Sequence, residues 1–257
     1  MLRLALVGDA AGLRGHARAA ERLPVQLVEP SQAEAVVVGD ASLTRLTPTQ
    51  HRLWLFSTED ASQPASDETL TAFACTHRHR PAVRAMLASL MAGELGRPGL
   101  LRLHRWQPGG HRTLLPEIDL ALTVFDADPE VVFATGAADL VQAHLGFPGG
   151  GMALLDATTL PPGDTYFSCS LIGSDGAAYA DDHRDRQLVF TGGAPRAPLG
   201  DETDAACLAL LRDFVKAITQ KRRPLVDGAR FQRLRAVSDA LDHSRRSGTA
   251  VTLGGTP

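Results

Sequence analysis

The residues best suited to chemistry near the start of the chain form a turn that could bind the pyrophosphate of a dinucleotide. Such a turn has the spacing G-x-G-x-x-G, so that backbone amides and a helix N-terminus approach the phosphates. Here the three positions hold Gly8, Ala10 and the bulky Leu13, with Gly12 and Gly15 out of register. Two interpretations stay open. One is a nucleotide site that includes Gly8, Ala10, Gly12 and Leu13, and the other is a plain strand-turn-helix whose glycines only form the turn.

An acidic residue stands where the second apolar segment ends. Residues 25–28 are followed by Glu29, and a dinucleotide-binding fold holds the ribose hydroxyls with an acid at this point. Glu29 is therefore a candidate for the adenosine end of a cofactor. The alternative is a solvated acid at a strand end.

Histidine titrates close to neutral pH, so His104 and His111 are candidate general bases. The alternative for each is a surface or loop histidine. Lys216 and Lys221 are the only lysines, so no amine precedes them in the chain. The run DDHRD at residues 181–185 contains possible metal ligands, but a polar hairpin tip also explains it.

Two further groups have ordinary structural explanations. The basic run THRHRP contains His77 and His79 and could hold a carboxylate or phosphate, or form a solvated strand end. Cys75, Cys169 and Cys207 stand far apart, which is typical of buried apolar side chains rather than of a thiolate metal site or a disulfide framework. No metal site is expected.

The first part of the chain alternates strands and helices, which predicts a parallel α/β sheet. Only about one helical turn fits between the second and third strands, at residues 30–34, so we expect an abbreviated Rossmann-type domain. The predicted strands cover residues 2–7, 25–28, 35–38, 53–56 and 70–76. A helical pattern begins at Ala17, Ala19 and Ala20, and a second helix is predicted over residues 81–93.

From residue 99 onward, short apolar strands and turn signals follow one another, which predicts an α+β domain with a mostly antiparallel open sheet. The predicted strands cover residues 100–104, 131–135, 140–145, 152–158, 167–172, 177–180 and 187–190. The predicted helices cover residues 117–125, 204–219 and 229–244, the last two packing back at the C-terminus. We therefore place a nucleotide-binding-like domain at 1–97 and a substrate or oligomerisation domain at 98–257.

Composition limits the class of partner. The 257 residues are 44% hydrophobic and carry a formal net charge of −3, which gives no reason to expect nucleic acid or an acidic membrane surface. No basic-then-apolar leader opens the chain, and no apolar run is long enough to cross a bilayer. We expect a cytoplasmic protein.

Five stretches together resemble the glucose–fructose oxidoreductase/inositol dehydrogenase/MocA (Gfo/Idh/MocA) family, of which the chain looks like a short and divergent member. In order, they are LRLALVGDAAGLRGHARAA, THRHRPAVRAMLASLMAGELGRPGLLRL, EIDLALTVFDADPEVVFATG, SLIGSDGAAYADD and PLVDGARFQRLRAVSDALDHSRRSGTAVTL. The resemblance implies the two-domain fold, NAD or NADP as cofactor and a sugar- or polyol-like ligand. It also implies a homo-oligomer formed through the sheet of the second domain.

The resemblance fails at the residues that handle protons. The family's lysine of a Glu-Lys-Pro motif aligns with Thr58, its aspartate with Arg112 and its histidine with Pro116. Asp119, which in the family neighbours the site and helps to bind substrate, is kept. Asp119 and His111 are therefore the candidate catalytic residues.

Three functions stay open at this point. The first is a divergent NAD(P)-dependent oxidoreductase that acts on a sugar or polyol. The second is a catalytically silent relative that binds a small molecule or serves as an accessory subunit. The third is a non-redox lyase or hydrolase that uses His111 or His104 as its base.

Overall fold

The structure is a computed structural model that describes residues 1–39, 49–55, 69–107, 113–137, 139–159, 165–181, 186–190 and 202–254. Thr58, His111, Arg112 and residues 182–185 lie outside the described residues. The chain divides into two compact units, Met1–Arg80 with Thr203–Gln232 and Pro81–Glu202 with Arg233–Pro257. The domain boundary between residues 97 and 98 stays a prediction.

The first unit contains a five-stranded sheet in which every pairing is parallel, as predicted. The strand order is β2-β1-β3-β4-β5, so the order reverses beside the first strand. The strands are β1 (Leu2–Val7), β2 (Val25–Leu27), β3 (Ala35–Val38), β4 (His51–Trp54) and β5 (Thr71–Phe73). Helix α1 (Ala10–Ala20) follows β1, and most of helix α4 (Glu202–Thr219) belongs to the same unit.

The core of the first unit forms where the central strand and two helices meet. All four side chains of β3 are buried, as expected for a parallel strand covered on both faces. Leu4, Leu53, Leu211 and Phe214 pack in the same cluster, the last two from α4. Between β2 and β3 there is one turn of 3₁₀ helix, Pro30–Gln32, which confirms the shortened connection.

The segment after β5 differs from the prediction. The strand expected over residues 70–76 is confined to Thr71–Phe73, and His77–His79 forms one turn of 3₁₀ helix. Both imidazoles are buried in that turn, so the interpretation of His77 and His79 as a solvated strand end was wrong. His77 and His79 are buried while Arg78 and Arg80 are half-buried, so the histidine side of this run faces the interior. Packing against the rest of the unit decides which side is buried, and a short run of sequence does not show it.

The second unit is built on an eight-stranded sheet with the order β12-β11-β10-β6-β9-β8-β7-β13. Only β6 and β9 pair in parallel among these strands, so the mostly antiparallel sheet is confirmed. The strands are β6 (Pro98–Trp106), β7 (Val131–Thr135), β8 (Leu140–Gly146), β9 (Met152–Thr158), β10 (Tyr166–Gly173), β11 (Ala177–Asp181), β12 (Arg186–Phe190) and β13 (Val251–Thr252). Its helices are α2 (Pro81–Met91), α3 (Leu115–Phe125) and α5 (Gly228–Ser247), of which α5 enters this unit from Arg233.

Alternation along β6 gives the sheet two different faces. Leu101, Leu103 and Arg105 are buried, and Arg105 pairs with a side chain of α3. Arg102, His104 and Trp106 therefore point to the opposite side, which we call the outer face. By register, this face also carries five large apolar side chains that are 40–44% exposed: Val131, Leu140, Met152, Ile172 and Tyr179.

Candidate functional site

The β1–α1 turn lies where an open parallel sheet usually binds a ligand, at the reversal of strand order. Gly8 has a φ of 141°, a value that side chains disfavour, so the turn needs glycine there. The amide of Gly39, which follows β3, donates to the carbonyl of Val7 at 2.7 Å. The backbones of the two neighbouring strands therefore stay paired up to the edge of the crevice.

Asp9 caps the helix that begins at this turn. Its backbone is extended, and its carboxylate accepts a hydrogen bond from the Gly12 amide at 3.0 Å. Amides at a helix N-terminus are the groups that would otherwise bind a phosphate. The chain's own carboxylate thus occupies this anion-binding end with a negative charge.

Leu13 fills the third motif position with an apolar side chain. It is 6% exposed and belongs to the hydrophobic core of the unit. A Cβ placed on Gly39 would lie 3.2 Å from its Cδ2 and 3.3 Å from its Cγ. Leu13 therefore packs directly on the backbone beyond β3, where a glycine would have left room.

Gly15 has a different role from the one that a dinucleotide motif would give it. A Cβ at this position would lie 2.9 Å from Sγ of Cys207 on α4. The neighbouring pair of Arg18 and Asp204 joins the same two helices by a salt bridge. Gly15 thus allows the close packing of α1 on α4.

The geometry of Glu29 is consistent with either interpretation. It is exposed and precedes the turn Pro30–Gln32, and its side chain makes no capping hydrogen bond. Its position after β2, the neighbour of β1, is the one that a ribose-binding acid takes.

The residues of the β1–α1 turn do not fit a bound dinucleotide. A pyrophosphate would have to displace the Asp9 carboxylate from the Gly12 amide, against repulsion between like charges. It would also approach a crevice that Leu13 occupies.

His16 lies one turn further along α1 and is buried. Burial lowers the pKa of its imidazole to about 4, so the ring is neutral near pH 7. Within the described residues neither ring nitrogen has a hydrogen-bond partner. The ring therefore packs as a core side chain, and the burial of its two nitrogens without hydrogen bonds destabilises the folded state.

In the second unit, the start of α3 holds a buried ionic cluster. Arg105 donates to the carboxylate of Glu117, and it also donates to Oε1 of Gln107 at 2.8 Å and to the Thr113 carbonyl at 2.9 Å. Glu117 and Asp119 are both fully buried. The polar side chains near the expected catalytic position thus form part of the packed interior of this unit.

Pro116 stands where the resembling family has a histidine, and it suits its structural position. It is among the first residues of α3, where proline loses no helical hydrogen bond. At the start of α3, the position of the family's histidine is therefore occupied by a residue that stabilises the helix and cannot transfer a proton. The lysine and aspartate positions of the resemblance fall on Thr58 and Arg112, outside the described residues.

The structure does not bring His104, one of the two candidate bases, together with Asp119. His104 and Arg105 are adjacent on β6 and point to opposite faces, and it is Arg105 that reaches α3, the helix of Asp119. His111 lies outside the described residues. His104 is therefore on the outer face, away from Asp119.

A pocket on the outer face was not anticipated from the sequence. It has a volume of about 480 Å³ and lies across β6, β10 and β11. Its lining includes Arg102, His104, Trp106, Tyr166 and Asp181. The sequence shows that His104 and Trp106 lie two residues apart and therefore share one face of a strand. It does not show which side chains of the neighbouring strand lie beside them, since that depends on the register between β6 and β10.

The described residues contain no group of three or more His, Cys, Asp or Glu side chains placed to hold a metal ion. No helix in the described part of the chain is both long and apolar enough to cross a membrane.

Comparison with solved structures establishes the fold. A levoglucosan dehydrogenase in complex with NADH and L-sorbose matches with a TM-score of 0.83 and 15% identity, covering 98% of this chain and 99% of that one. A myo-inositol dehydrogenase from Corynebacterium glutamicum matches with a TM-score of 0.76 and 17% identity over 100% of both chains. A UDP-N-acetylglucosamine 3-dehydrogenase from Acidithiobacillus ferrooxidans matches with a TM-score of 0.73 and 20% identity, covering 96% and 98%. No family model and no curated protein matches the sequence.

Proposed function

Since the chain has the fold of the Gfo/Idh/MocA-type dehydrogenases, we propose that it is a catalytically silent form of that fold. It binds a sugar- or polyol-like small molecule and does not transfer hydride to a nicotinamide. This is the second of the three functions that the sequence leaves open.

One observation carries the proposal, the hydrogen bond between the Asp9 carboxylate and the Gly12 amide. A dinucleotide site needs the helix end to be free for phosphate, and here a fixed negative charge takes its place. Leu13 adds a second obstacle, since it packs on Gly39 in the same crevice.

Proton handling supports the same conclusion. Oxidation of a hydroxyl needs a titratable group within hydrogen-bond reach of the departing proton. The chain has no lysine before Lys216, and Pro116 stands at the histidine position of the resemblance. Both the binding of the cofactor and the removal of the hydroxyl proton are therefore impaired in this chain.

The ligand class follows from what solved structures of this fold contain. Two of the matching structures, of levoglucosan dehydrogenase, hold L-sorbose or levoglucosan. We propose that this chain binds a compound of the same class, a sugar or polyol, but does not oxidise it.

Calorimetric titration of the protein with NADH and NADPH tests this function, with levoglucosan dehydrogenase as the positive control. We expect no saturable heat for this chain under conditions in which the control saturates. Saturable binding of either cofactor would overturn the proposal. Oxidation of a member of a polyol panel, abolished by Asp119→Ala, would overturn it as well.

A divergent oxidoreductase is the second candidate, and the exposed Glu29 favours it. This acid stands after β2, where the adenosine ribose of NAD would lie. Under this alternative, a Glu29→Ala variant binds NADH at least tenfold more weakly than the wild-type chain. Under the silent function, neither protein binds.

We also propose that a second copy of the chain covers part of the outer face, on strands β7, β8 and β9. Val131 and Met152 are 40% and 43% exposed there and lie on either side of Gly146 of β8, while Leu140, 44% exposed, lies at the other end of β8. An exposed apolar patch such as that of Val131 and Met152 is typical of an interaction surface. In analytical ultracentrifugation, the wild-type chain should sediment as a dimer or larger oligomer, and the Met152→Lys variant should sediment as a monomer. A wild-type chain that is monomeric at all concentrations would contradict this proposal.

A further inference from the structure

We propose that a cleft in the first unit is a binding site for an organic acid with one carboxylate and an apolar body. The cleft has a volume of about 970 Å³, at the upper end of the range of small-molecule sites, which is roughly 300–1,000 Å³. It includes His51 and Thr71, the first residues of β4 and β5, so it lies at the edge where the strands of the sheet begin. The β1–α1 turn is at the opposite edge, and the inference therefore goes beyond the proposed function.

Lys221 lines the cleft in an unusual backbone conformation. It follows the end of α4, and its φ of 51° lies in the left-handed region, where glycine is the usual residue after a helix. The amide of Lys221 donates to the carbonyl of Ile218 at 3.2 Å, and the amide of Arg222 donates to the carbonyl of Ala217 at 3.0 Å, as in a Schellman motif. Glycine would make this turn without strain, so the lysine side chain is retained for a purpose other than the fold.

The charges around the cleft leave one cation without a counter-ion. Arg222 lies 2.6 Å from Oδ1 of Asp213, and the exposed Arg223 lies 3.9 Å from Oδ2 of Asp227. Lys221 forms no ion pair with any of the described residues. A single unmatched ammonium suits a carboxylate, which carries one negative charge, better than a phosphate ester, which carries nearly two at neutral pH.

Two neutral donors accompany the lysine. Nδ1 of His51 accepts a hydrogen bond from the amide of Leu70 at 3.0 Å, so in the neutral ring the proton is on Nε2, which can donate to a ligand. Partial burial lowers the pKa of this imidazole, against the opposing effect of Glu34, and keeps the ring neutral near pH 7. Oγ1 of Thr71 is buried and has no hydrogen-bond partner in the described part of the chain. A carboxylate accepts from groups of this kind.

The rest of the lining is largely apolar. Leu70 and Ile218 are partly buried and pack against the core of the unit, and Ala217 and Pro224 are buried beside them in the same lining. An aromatic ring or a short aliphatic chain would remove this surface from water, which acetate and inorganic phosphate are too small to do. The ligand is therefore expected to carry an apolar body in addition to its carboxylate.

The only two lysines of the chain provide the test. Lys221 lines the cleft, whereas Lys216 is exposed on α4 and does not line it. Biosynthetic labelling with ¹³C-lysine gives a separate Hε–Cε signal for each residue, and Lys216→Arg assigns the two signals. The full-length protein is titrated with benzoate, phenylacetate and indole-3-acetate, with the primary amide of each acid as its neutral counterpart. Phenyl phosphate, acetate and inorganic phosphate are titrated in parallel.

We expect at least one of the three acids to shift the Lys221 signal saturably while the Lys216 signal stays in place, and its amide to leave both unchanged. Lys221→Gln should weaken binding by about tenfold or more, since a charge-assisted hydrogen bond is lost. Lys216→Gln is the matched control and should leave the affinity unchanged. Lys221→Gly should bind as weakly as Lys221→Gln but unfold at a higher urea concentration, because glycine relieves the left-handed turn.

The proposal is overturned if none of the three acids shifts the Lys221 signal, or if both lysine signals shift together. The first result would follow if Asp67 or Glu68, which lie outside the described residues, neutralises the lysine. The proposal also fails if an amide binds as tightly as its acid, if either phosphate compound binds more tightly than the acids, or if Lys216→Gln weakens binding as much as Lys221→Gln. None of these outcomes changes the result of the NADH titration, so the two proposals fail separately.

Discussion

The Asp9 carboxylate and the Gly12 amide form a 3.0 Å hydrogen bond at the N-terminus of α1. The bond stabilises the helix, and it also occupies the group that a phosphate would need. One contact thus serves the fold and opposes the binding of a dinucleotide.

Replacing Asp9 by alanine should destabilise the protein. The N-cap acceptor for Gly12 is lost, which typically costs about 1 kcal/mol of the free energy of unfolding. Urea unfolding measures this, with Asp9→Asn as the control because it keeps an acceptor and removes only the charge. An alanine variant as stable as the wild type would contradict the assignment of the cap.

A double-mutant cycle should reveal the close approach of Gly15 and Cys207. Alanine at position 15 gains about 1 kcal/mol of helix propensity, but in the wild-type background its Cβ would lie 2.9 Å from Sγ of Cys207. We expect Gly15→Ala to stabilise the Cys207→Ala background more than the wild-type background, by about 1 kcal/mol or more in urea unfolding. Equal effects in both backgrounds would show that the helices are further apart.

Stability should fall in acid because of His16. The folded ring has a pKa of about 4 through burial, below its ordinary 6.5. Between these values the unfolded chain binds a proton that the folded chain does not, so the free energy of unfolding falls as the pH drops through this window. The loss should approach about 3 kcal/mol near pH 4.

The pH dependence is measured as the difference between the wild type and His16→Leu in urea unfolding at neutral pH and near pH 4. The variant should lose less stability than the wild type. His243→Leu, which changes an exposed histidine, is the matched control and should follow the wild type. Parallel behaviour of the wild type and His16→Leu would contradict the buried neutral ring.

Breaking the buried pair of Arg105 and Glu117 should be costly. Either Arg105→Met or Glu117→Leu leaves a charge buried, and we expect a loss of about 3–5 kcal/mol of the free energy of unfolding. The double variant should recover much of this loss, since neither member of the pair is then left as an unpaired buried charge. Thermal and urea unfolding of the three variants provide the comparison, and strictly additive losses would argue against the pair.

Most of the architecture could be predicted from local patterns. The apolar runs that became β1 and β3, and the turn signals after residue 99, determine a parallel sheet followed by a mostly antiparallel one. The ends of elements moved by a few residues, as with β4, predicted at residues 53–56 and found at His51–Trp54. Such shifts reflect sheet pairing, which a single segment does not encode.

The candidate site was harder to predict because its contacts join distant residues. The sequence shows that Leu13 replaces a glycine, but not that it packs on Gly39 or that Gly15 meets Cys207. Asp9 before a helical segment is a known capping signal, which the phosphate-binding interpretation of the same turn overlooked. The outer-face pocket depends on the register between β6 and β10.

A crystal structure of the protein soaked with NADH would test the central claim most directly. We predict that the Asp9 carboxylate remains on the Gly12 amide, that Leu13 stays against Gly39, and that no pyrophosphate density appears at the β1–α1 turn. Density for a pyrophosphate bound to the Gly12 amide, with the Asp9 side chain displaced, would contradict the account.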